Sequence, residues 1–192
     1  NKRAKEIDRL LGNAFYARHM QRTFDVMLMR RLPAKNVAAA EWETFLRTSF
    51  ADNKGWDDIV REILAADGTD PKQRGPARFA LDRAGDANDL TRDVARIFLG
   101  ANIECAQCHD HPTIDDYRQA HYYGIQAFYI RSFLFTDAKK VAMLAEKGEG
   151  EVTFESVFEI RDKKSKGPKS SPPLIFEQAS FTEPKFEKGQ EY

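Results

Sequence analysis

The chain has 192 residues, with 30 Lys and Arg balanced by 30 Asp and Glu, so its formal net charge is zero. That balance gives no support for nucleic-acid binding through bulk positive charge, and two cysteines are too few for a disulfide-rich secreted module. No apolar stretch reaches the roughly 18–20 residues of a membrane helix, so we expect no transmembrane segment. The chain begins at Asn1 and has no basic-then-apolar leader, which predicts a processed or excised piece of a longer protein.

Apolar residues at helical spacing predict helices along most of the chain. The predicted helices cover residues 2–29, 42–50, 56–64, 89–101 and 113–135. Leu32-Pro33 ends the first of them, and Asp89 or Thr91 is the predicted N-cap of the fourth. The stretch 69–78 contains two prolines and a glycine and is predicted to be a loop.

The sequence changes in character after about residue 147. Apolar and polar residues alternate for the most part from Val152 to Ile160, which predicts a β-strand, and residues 174–176 are the predicted partner strand. The tail beyond them is predicted to be extended. The predicted fold class is mainly α, a helical body followed by a small C-terminal β appendage.

Both cysteines fall in one five-residue motif, Cys105-Ala106-Gln107-Cys108-His109. This is C-x-x-C-H, the attachment sequence of c-type haem. Two thiols three positions apart on a turn can form thioethers with the two vinyl groups at one porphyrin edge, and the next residue can bring its imidazole under the iron. The motif predicts one covalent haem c, held by Cys105 and Cys108, with His109 as the proximal iron ligand.

Three other uses of the cysteines compete with haem: a disulfide, a thioredoxin-like redox pair and half of a zinc site. The thioredoxin interpretation requires a strand before the motif, whereas the preceding segment has a helical pattern. Zinc requires well-separated ligands, whereas Cys108 and His109 are adjacent and His111 follows two residues later. The motif therefore favours haem.

A low-spin haem needs a sixth ligand, usually a methionine or a histidine. His19 is the preferred candidate because it is distant in sequence and can approach from the opposite side, although a buried histidine bonded to a carbonyl is an equal alternative. His111 is too close to the proximal ligand, and His121 shares an apolar helical face, as core residues do. The methionine candidates are Met20, Met27, Met29 and Met143. If His19→Ala leaves a low-spin spectrum unchanged, His19 is eliminated.

The surroundings of the motif resemble a known family. Residues 99–112 read LGANIECAQCHDHP and are similar to the signature of the planctomycete-type cytochrome-like domain, which occurs in large exported proteins of poorly defined function. Ala17-Arg18-His19-Met20 resembles the ARHW segment of that family, with Met20 in place of the tryptophan. Asp116-Tyr117 and Tyr122-Tyr123-Gly124 match its DYYG ending in outline.

The resemblance covers most of residues 5–160. It implies export, a haem attached outside the cytoplasm and a longer parent protein with further domains. It places His109 at the proximal position and His19 at the recurrent early histidine of the family. His121 stands where the family usually has an acidic residue, which lowers its standing as a ligand.

We therefore expect a helical, cytochrome-like haem c-binding domain over residues 1–145 and a β-hairpin or extended segment over residues 146–192. The expected function is one-electron transfer in the periplasm or at the cell surface, with an unknown redox partner protein. Two alternatives stay open. One is a non-haem interaction module of an exported assembly with a Cys105–Cys108 disulfide, and the other is a peroxidase-like haem enzyme with an open distal site.

Overall fold

The computed structural model describes residues 1–155 and 168–176. It confirms the predicted fold class, because this part of the chain is mainly helical with a few short antiparallel strands toward its C-terminal end. The helices are α1 Lys2–Leu11, α2 Ala14–Met29, α3 Ala39–Ala51, α4 Trp56–Ala65, α5 Arg74–Leu81, α6 Ala87–Phe98 and α7 Gln119–Gln126. The strands are β1 Ser132–Thr136, β2 Ala142–Glu146, β3 Val152–Phe154 and β4 Lys169–Ser171. Within the described residues, no helix combines the length and the apolar character needed to cross a membrane.

The chain forms two compact units. Unit 1 comprises Asn1–Asp86 and Ser132–Glu146, and so contains α1 to α5 and the antiparallel β1–β2 pair. Unit 2 comprises Ala87–Arg131 and the described residues from Lys147 onward, and so contains α6, the cysteine motif, α7 and the β3–β4 pair. The predicted functional boundary at residue 145 stays a prediction.

The single helix predicted over residues 2–29 is two helices. Gly12 ends α1, with its N–H donating to the Asp8 carbonyl at 3.0 Å. Asn13 begins α2, because its side chain accepts a hydrogen bond from the Phe15 N–H at 2.9 Å. An asparagine in this place satisfies a backbone N–H that the first helical turn leaves without a partner. The apolar pattern runs through both helices, but the end of α1 and the start of α2 at neighbouring residues interrupt the helix itself.

The predicted loop over residues 69–78 is wrong in its second half, where α5 begins. Pro76 lies in the first turn of that helix, where the N–H that proline lacks would have no intrahelical partner. Gly75 lies against α3, since a Cβ atom on it would come within 2.7 Å of the Glu41 carbonyl oxygen and 2.9 Å of the Phe45 Cβ. The residues that predicted a loop are therefore the ones that let α5 begin and approach α3 closely.

Replacing Gly75 with alanine is expected to destabilise the protein by about 1–3 kcal/mol, the range for an overpacked core. In an exposed helix the same change stabilises by up to about 1 kcal/mol, so the sign reports the close contact between α3 and α5. Thermal unfolding measures the change. Gly12→Ala is the control, because a Cβ there meets only the Asp8 oxygen at 3.4 Å. A more stable Gly75→Ala protein would contradict the packing.

The helix predicted over residues 113–135 is confirmed only in its middle, where α7 lies. Its last residues form β1 instead, which pairs with β2 in a register that places Leu134 opposite Leu144. Both leucines pack against a buried cluster in unit 1, whose members are Val37, Ala66, Ala77 and Leu81. A short apolar run is compatible with either a helix or a strand, and pairing with β2 decides the outcome here.

The core of unit 1 lies among helices α2 to α5. Its largest fully buried side chains are Leu28, Met29, Trp42, Leu46, Ile59, Ile63, Phe79 and Leu81. The indole N–H of Trp42 donates to Asp25 Oδ1 at 2.8 Å, so the single polar group of this buried ring is satisfied.

Two buried arginines lie beside this core. Arg78 donates from Nε to Asp82 Oδ2 at 2.9 Å, and Asp82 Oδ1 accepts a hydrogen bond from the Asn36 N–H at 2.8 Å. Arg83 donates to the Phe79 carbonyl at 2.7 Å, and its guanidinium carbon lies 3.9 Å from the centre of the Phe79 ring. Buried charges are costly unless they are paired or hydrogen-bonded, and both arginines meet that condition.

Unit 2 is built on α6 and α7, which enclose a buried cluster of Ala95, Ala101, Ile103, Ala106, Tyr122 and Ile125. Because α6 begins at Ala87, the predicted N-caps Asp89 and Thr91 are wrong. Asp89 lies in the first turn, and the Thr91 hydroxyl donates back to the Ala87 carbonyl at 2.6 Å.

The β3 strand confirms the start of the predicted C-terminal strand, whose later residues 156–160 lie outside the described residues. Its partner is β4, so the predicted partner strand over residues 174–176 is wrong. There the Leu174 N–H donates to the Gly124 carbonyl at 3.0 Å, which fixes this segment on α7. The predicted extended tail after residue 176 also lies outside the described residues.

Burial raises the pKa of Tyr129, in unit 2, to about 12, against about 10 for a solvated phenol. Between these values the unfolded chain loses the proton that the folded chain keeps. The free energy of unfolding is therefore expected to fall by about 1.4 kcal/mol per pH unit from pH 10 to 12. Tyr129→Phe should remove that part of the decline, as denaturant titrations at several pH values would show. Equal slopes for the two proteins would contradict the prediction.

Candidate functional site

The cysteine motif lies on a tight turn that its own backbone closes. Residues Glu104–Gln107 form a 3-10 turn, and the N–H groups of Cys108 and His109 both donate to the Cys105 carbonyl at 3.2 Å. Ala106 points into the core of unit 2, whereas Cys105 and Cys108 are both exposed and are free thiols. The turn therefore buries its small apolar residue and presents both sulfur atoms to solvent.

The ring of His109 is held in one orientation by its neighbour. Its Nδ1 lies 2.7 Å from the Asp110 carbonyl oxygen. A carbonyl oxygen only accepts hydrogen bonds, so Nδ1 carries the proton and Nε2 of the neutral ring has a free lone pair. Metal-ligating histidines usually donate their second ring nitrogen to a carbonyl or a carboxylate in this way. His109 is exposed, so Nε2 is accessible to a ligand.

Side chains of α6 and α7 fix the position of the turn. The Tyr123 hydroxyl donates to the Gln107 carbonyl at 2.8 Å. Asn88 Oδ1 accepts hydrogen bonds from Gln107 Nε2 at 3.3 Å, from the Tyr122 hydroxyl at 2.9 Å and from Gln126 Nε2 at 2.7 Å. The middle of the C-x-x-C-H motif is therefore anchored to both helices of unit 2.

The sequence did not predict these anchors. Asn88 precedes the buried Thr91 and Ala95 by three and seven residues, so it extends their side of α6. A polar residue on the buried side of a predicted helix was therefore the signal from which Asn88 could have been identified. Nothing in the sequence identified Tyr123 as an anchor, because its hydrogen-bond partner is a backbone carbonyl.

Tyr123 also interacts electrostatically with Cys108. Burial, and then the negative charge that Cys108 carries as a thiolate, raise the pKa of the Tyr123 phenol above its ordinary value. The phenol therefore keeps its proton and remains a donor to the Gln107 carbonyl. Its ring stacks on Phe154 of β3, with the ring centres 4.6 Å apart.

The two nearby histidines have structural partners at Nδ1. His111 Nδ1 accepts hydrogen bonds from the N–H groups of Thr113 at 3.2 Å and Ile114 at 3.1 Å. His121 is buried, and its Nδ1 accepts a hydrogen bond from the Arg118 N–H at 3.3 Å at the start of α7. The burial of His121 agrees with the expectation that it is a core residue.

The other predicted ligand lies in a different unit. His19 is exposed on α2, which belongs to unit 1, whereas the C-x-x-C-H motif belongs to unit 2. All four methionine candidates, Met20, Met27, Met29 and Met143, also lie in unit 1. The identity of a sixth ligand therefore stays a prediction. Among residues 1–155 and 168–176, no three or more His, Cys, Asp or Glu side chains form a ready metal-binding group.

Comparison with known proteins gives one match. The model of the family PSCyt2, described as "Protein of unknown function (DUF1549)", matches residues 1–132, which is more than half of the chain. No curated protein and no solved structure matches the chain. The description of the family names neither an activity nor a cofactor. The chain belongs to the PSCyt2 family of unknown function (DUF1549).

Proposed function

We propose that this chain is a c-type cytochrome domain that holds one haem c covalently and transfers single electrons outside the cytoplasm. The observation that carries the proposal is the state of His109. Its Nδ1–H is bound to the Asp110 carbonyl, which leaves Nε2 free beside two exposed thiols on the same turn. The residue types, their spacing and their exposure all fit haem c.

Each residue of the motif has a distinct task in this proposal. Cys105 and Cys108 would form the thioethers, and His109 would supply the axial nitrogen. Asp110 would keep the His109 ring in its orientation and raise the basicity of Nε2, as hydrogen-bond acceptors behind metal-bound histidines do. Tyr123, through the Gln107 carbonyl, would keep the turn fixed on α7.

Covalently bound haem supplies one-electron Fe(II)/Fe(III) chemistry, whose potential depends on the axial ligands, nearby hydrogen bonds and burial. Asp110 and Tyr123 would adjust the axial histidine and the position of the turn. Thioether attachment takes place outside the cytoplasm, which supports a periplasmic or cell-surface location. The electron donor or acceptor would be a separate redox protein or a further domain of a longer parent chain.

The test is to produce the full chain in a bacterial periplasm together with haem c maturation proteins. We expect a mass gain of one haem that survives denaturation, and a pyridine haemochrome spectrum of the c type. A chain with neither feature would rule out haem attachment. If that chain also lacks two hydrogens in mass, the Cys105–Cys108 disulfide alternative replaces the proposal. A high-spin product that binds cyanide readily would instead indicate a peroxidase-like haem protein.

A further inference from the structure

Unit 1 contains a polar cavity that the proposed function does not use. It has a volume of about 650 Å³ and lies along the contact between α2 and α3. Its charged and polar lining residues are Arg18, Gln21, Arg22, Asp25, Glu43 and Arg47. Three arginines thus converge on one cavity from two helices.

These three arginines have no hydrogen bond or ion pair within the described part of the chain. Arg18 and Arg22 are four residues apart on α2, so two like charges lie on one helix face, an arrangement that costs a few tenths of a kcal/mol in an isolated helix. Arg9 and Arg61, two other exposed arginines of unit 1, are paired with nearby carboxylates. The cavity therefore collects guanidinium groups that nearby carboxylates do not neutralise.

Gln21 gives a second and independent indication of a ligand. It is only 7% exposed, it lines the same cavity, and its amide has no hydrogen-bond partner among the described residues. Ser49 Oγ and Gln119 Oε1 are the fully buried side-chain atoms without a partner among the described residues, so the Gln21 amide still reaches the open side of the cavity and is accessible to a ligand. An acceptor that enters the cavity would satisfy the amide N–H groups and the arginine N–H groups together.

The two acidic residues of the cavity do not cancel this charge. Asp25 already accepts the Trp42 indole N–H at 2.8 Å and lies 3.6 Å from the buried Arg78. Glu43 is exposed on α3, and no ion pair joins it to Arg47 four residues later. Three guanidinium groups and one amide remain as available donors.

We infer that this cavity binds a tetrahedral oxyanion, a phosphate or sulfate group, either free or as an ester. Guanidinium groups bind such anions through paired, charge-assisted hydrogen bonds, and donors on two helices suit an anion with several oxygen atoms better than a single carboxylate. The inference is independent of haem attachment, because every residue that carries it lies in unit 1.

The test is calorimetric titration of the full chain with sodium phosphate and, separately, with sodium sulfate at low ionic strength. We expect saturable binding of at least one of them. Arg22→Gln and Arg47→Gln should each weaken it about tenfold or more, since each removes charge-assisted hydrogen bonds. Arg61→Gln is the matched control and should leave binding unchanged, because Arg61 lies outside the lining. Titration with a phosphate monoester and with a sulfated disaccharide then distinguishes the two sources of the anion.

Gln21→Met separates a constructed site from diffuse positive charge, because it removes the amide at nearly constant volume and constant charge. We expect it to weaken anion binding severalfold without lowering the thermal midpoint, since the free protein loses no hydrogen bond. No saturable binding would overturn the inference. Binding that Arg61→Gln weakens as much as Arg47→Gln, or that Gln21→Met leaves unchanged, would overturn it as well.

Discussion

Replacing Asp82 with alanine is expected to destabilise the protein by about 3–5 kcal/mol, the usual cost of removing one partner of a buried ion pair. The Asp82 side chain is fully buried, and that of Arg78 is only 6% exposed. Without the carboxylate, the Arg78 guanidinium loses its Nε partner, and the Asn36 N–H loses its acceptor. The thermal midpoint should fall by on the order of 10 °C for a chain of this size.

The exposed pair Asp57–Arg61 provides the matched control, because it too joins an aspartate and an arginine four residues apart. Asp57→Ala should leave the midpoint close to that of the unchanged protein, since exposed ion pairs contribute little. Asp82→Asn keeps an oxygen for the Asn36 N–H but puts an NH2 group where Oδ2 accepts from Arg78, so it removes the pair with Arg78 and retains the Asn36 hydrogen bond. If Asp82→Ala and Asp57→Ala shift the midpoint equally, the pair does not stabilise the core as described.

The second large effect concerns haem attachment. Cys105→Ala combined with Cys108→Ala is expected to abolish covalent haem, because both thioether sulfur atoms are removed. His109→Asn should keep both thiols and lose the axial nitrogen. The covalent product should therefore be much reduced, and any haem retained should lack the spectrum of histidine ligation. Haem staining of denatured protein and the pyridine haemochrome assay measure both results.

His111→Asn is the control for the histidine substitution. An asparagine oxygen can replace Nδ1 as the acceptor for the Thr113 and Ile114 N–H groups, so the turn should persist. Haem content should therefore match that of the unchanged protein. Equal losses in His109→Asn and His111→Asn would show a general effect on the turn and would contradict the axial role of His109.

Much of the fold was predictable from the sequence, because apolar spacing reports helices that bury one face. Helices α3, α4 and α6 follow that spacing closely. The failures have local causes. Gly12-Asn13 placed an end and a start inside one continuous pattern, and Pro76 indicated a loop although it lies in the first turn of α5. The β1 strand was predicted as helix because a run of five residues carries too little periodicity to separate the two.

The candidate site was predictable in part, for a different reason. The proposed haem attachment motif consists of neighbouring residues, so Cys105, Cys108 and His109 could be proposed as site residues from their spacing alone. The acceptor behind His109 is a backbone carbonyl, which any residue in position 110 would supply. The arginine cluster at the α2–α3 cavity could not be predicted from the sequence either, because only the packing of the helices shows which charged side chains lack partners.

The order of the two units along the chain has a consequence for synthesis on the ribosome. Leu134 and Leu144 complete the buried cluster of unit 1, yet they follow the whole of Ala87–Arg131 in the chain. Unit 1 therefore cannot complete its core until the β1–β2 hairpin has emerged, when the C-x-x-C-H turn has already been made. A fragment that stops at residue 132, where the family match ends, would lack this hairpin and leave Leu81 partly uncovered. A recombinant fragment that contains unit 1 should extend at least through Glu146.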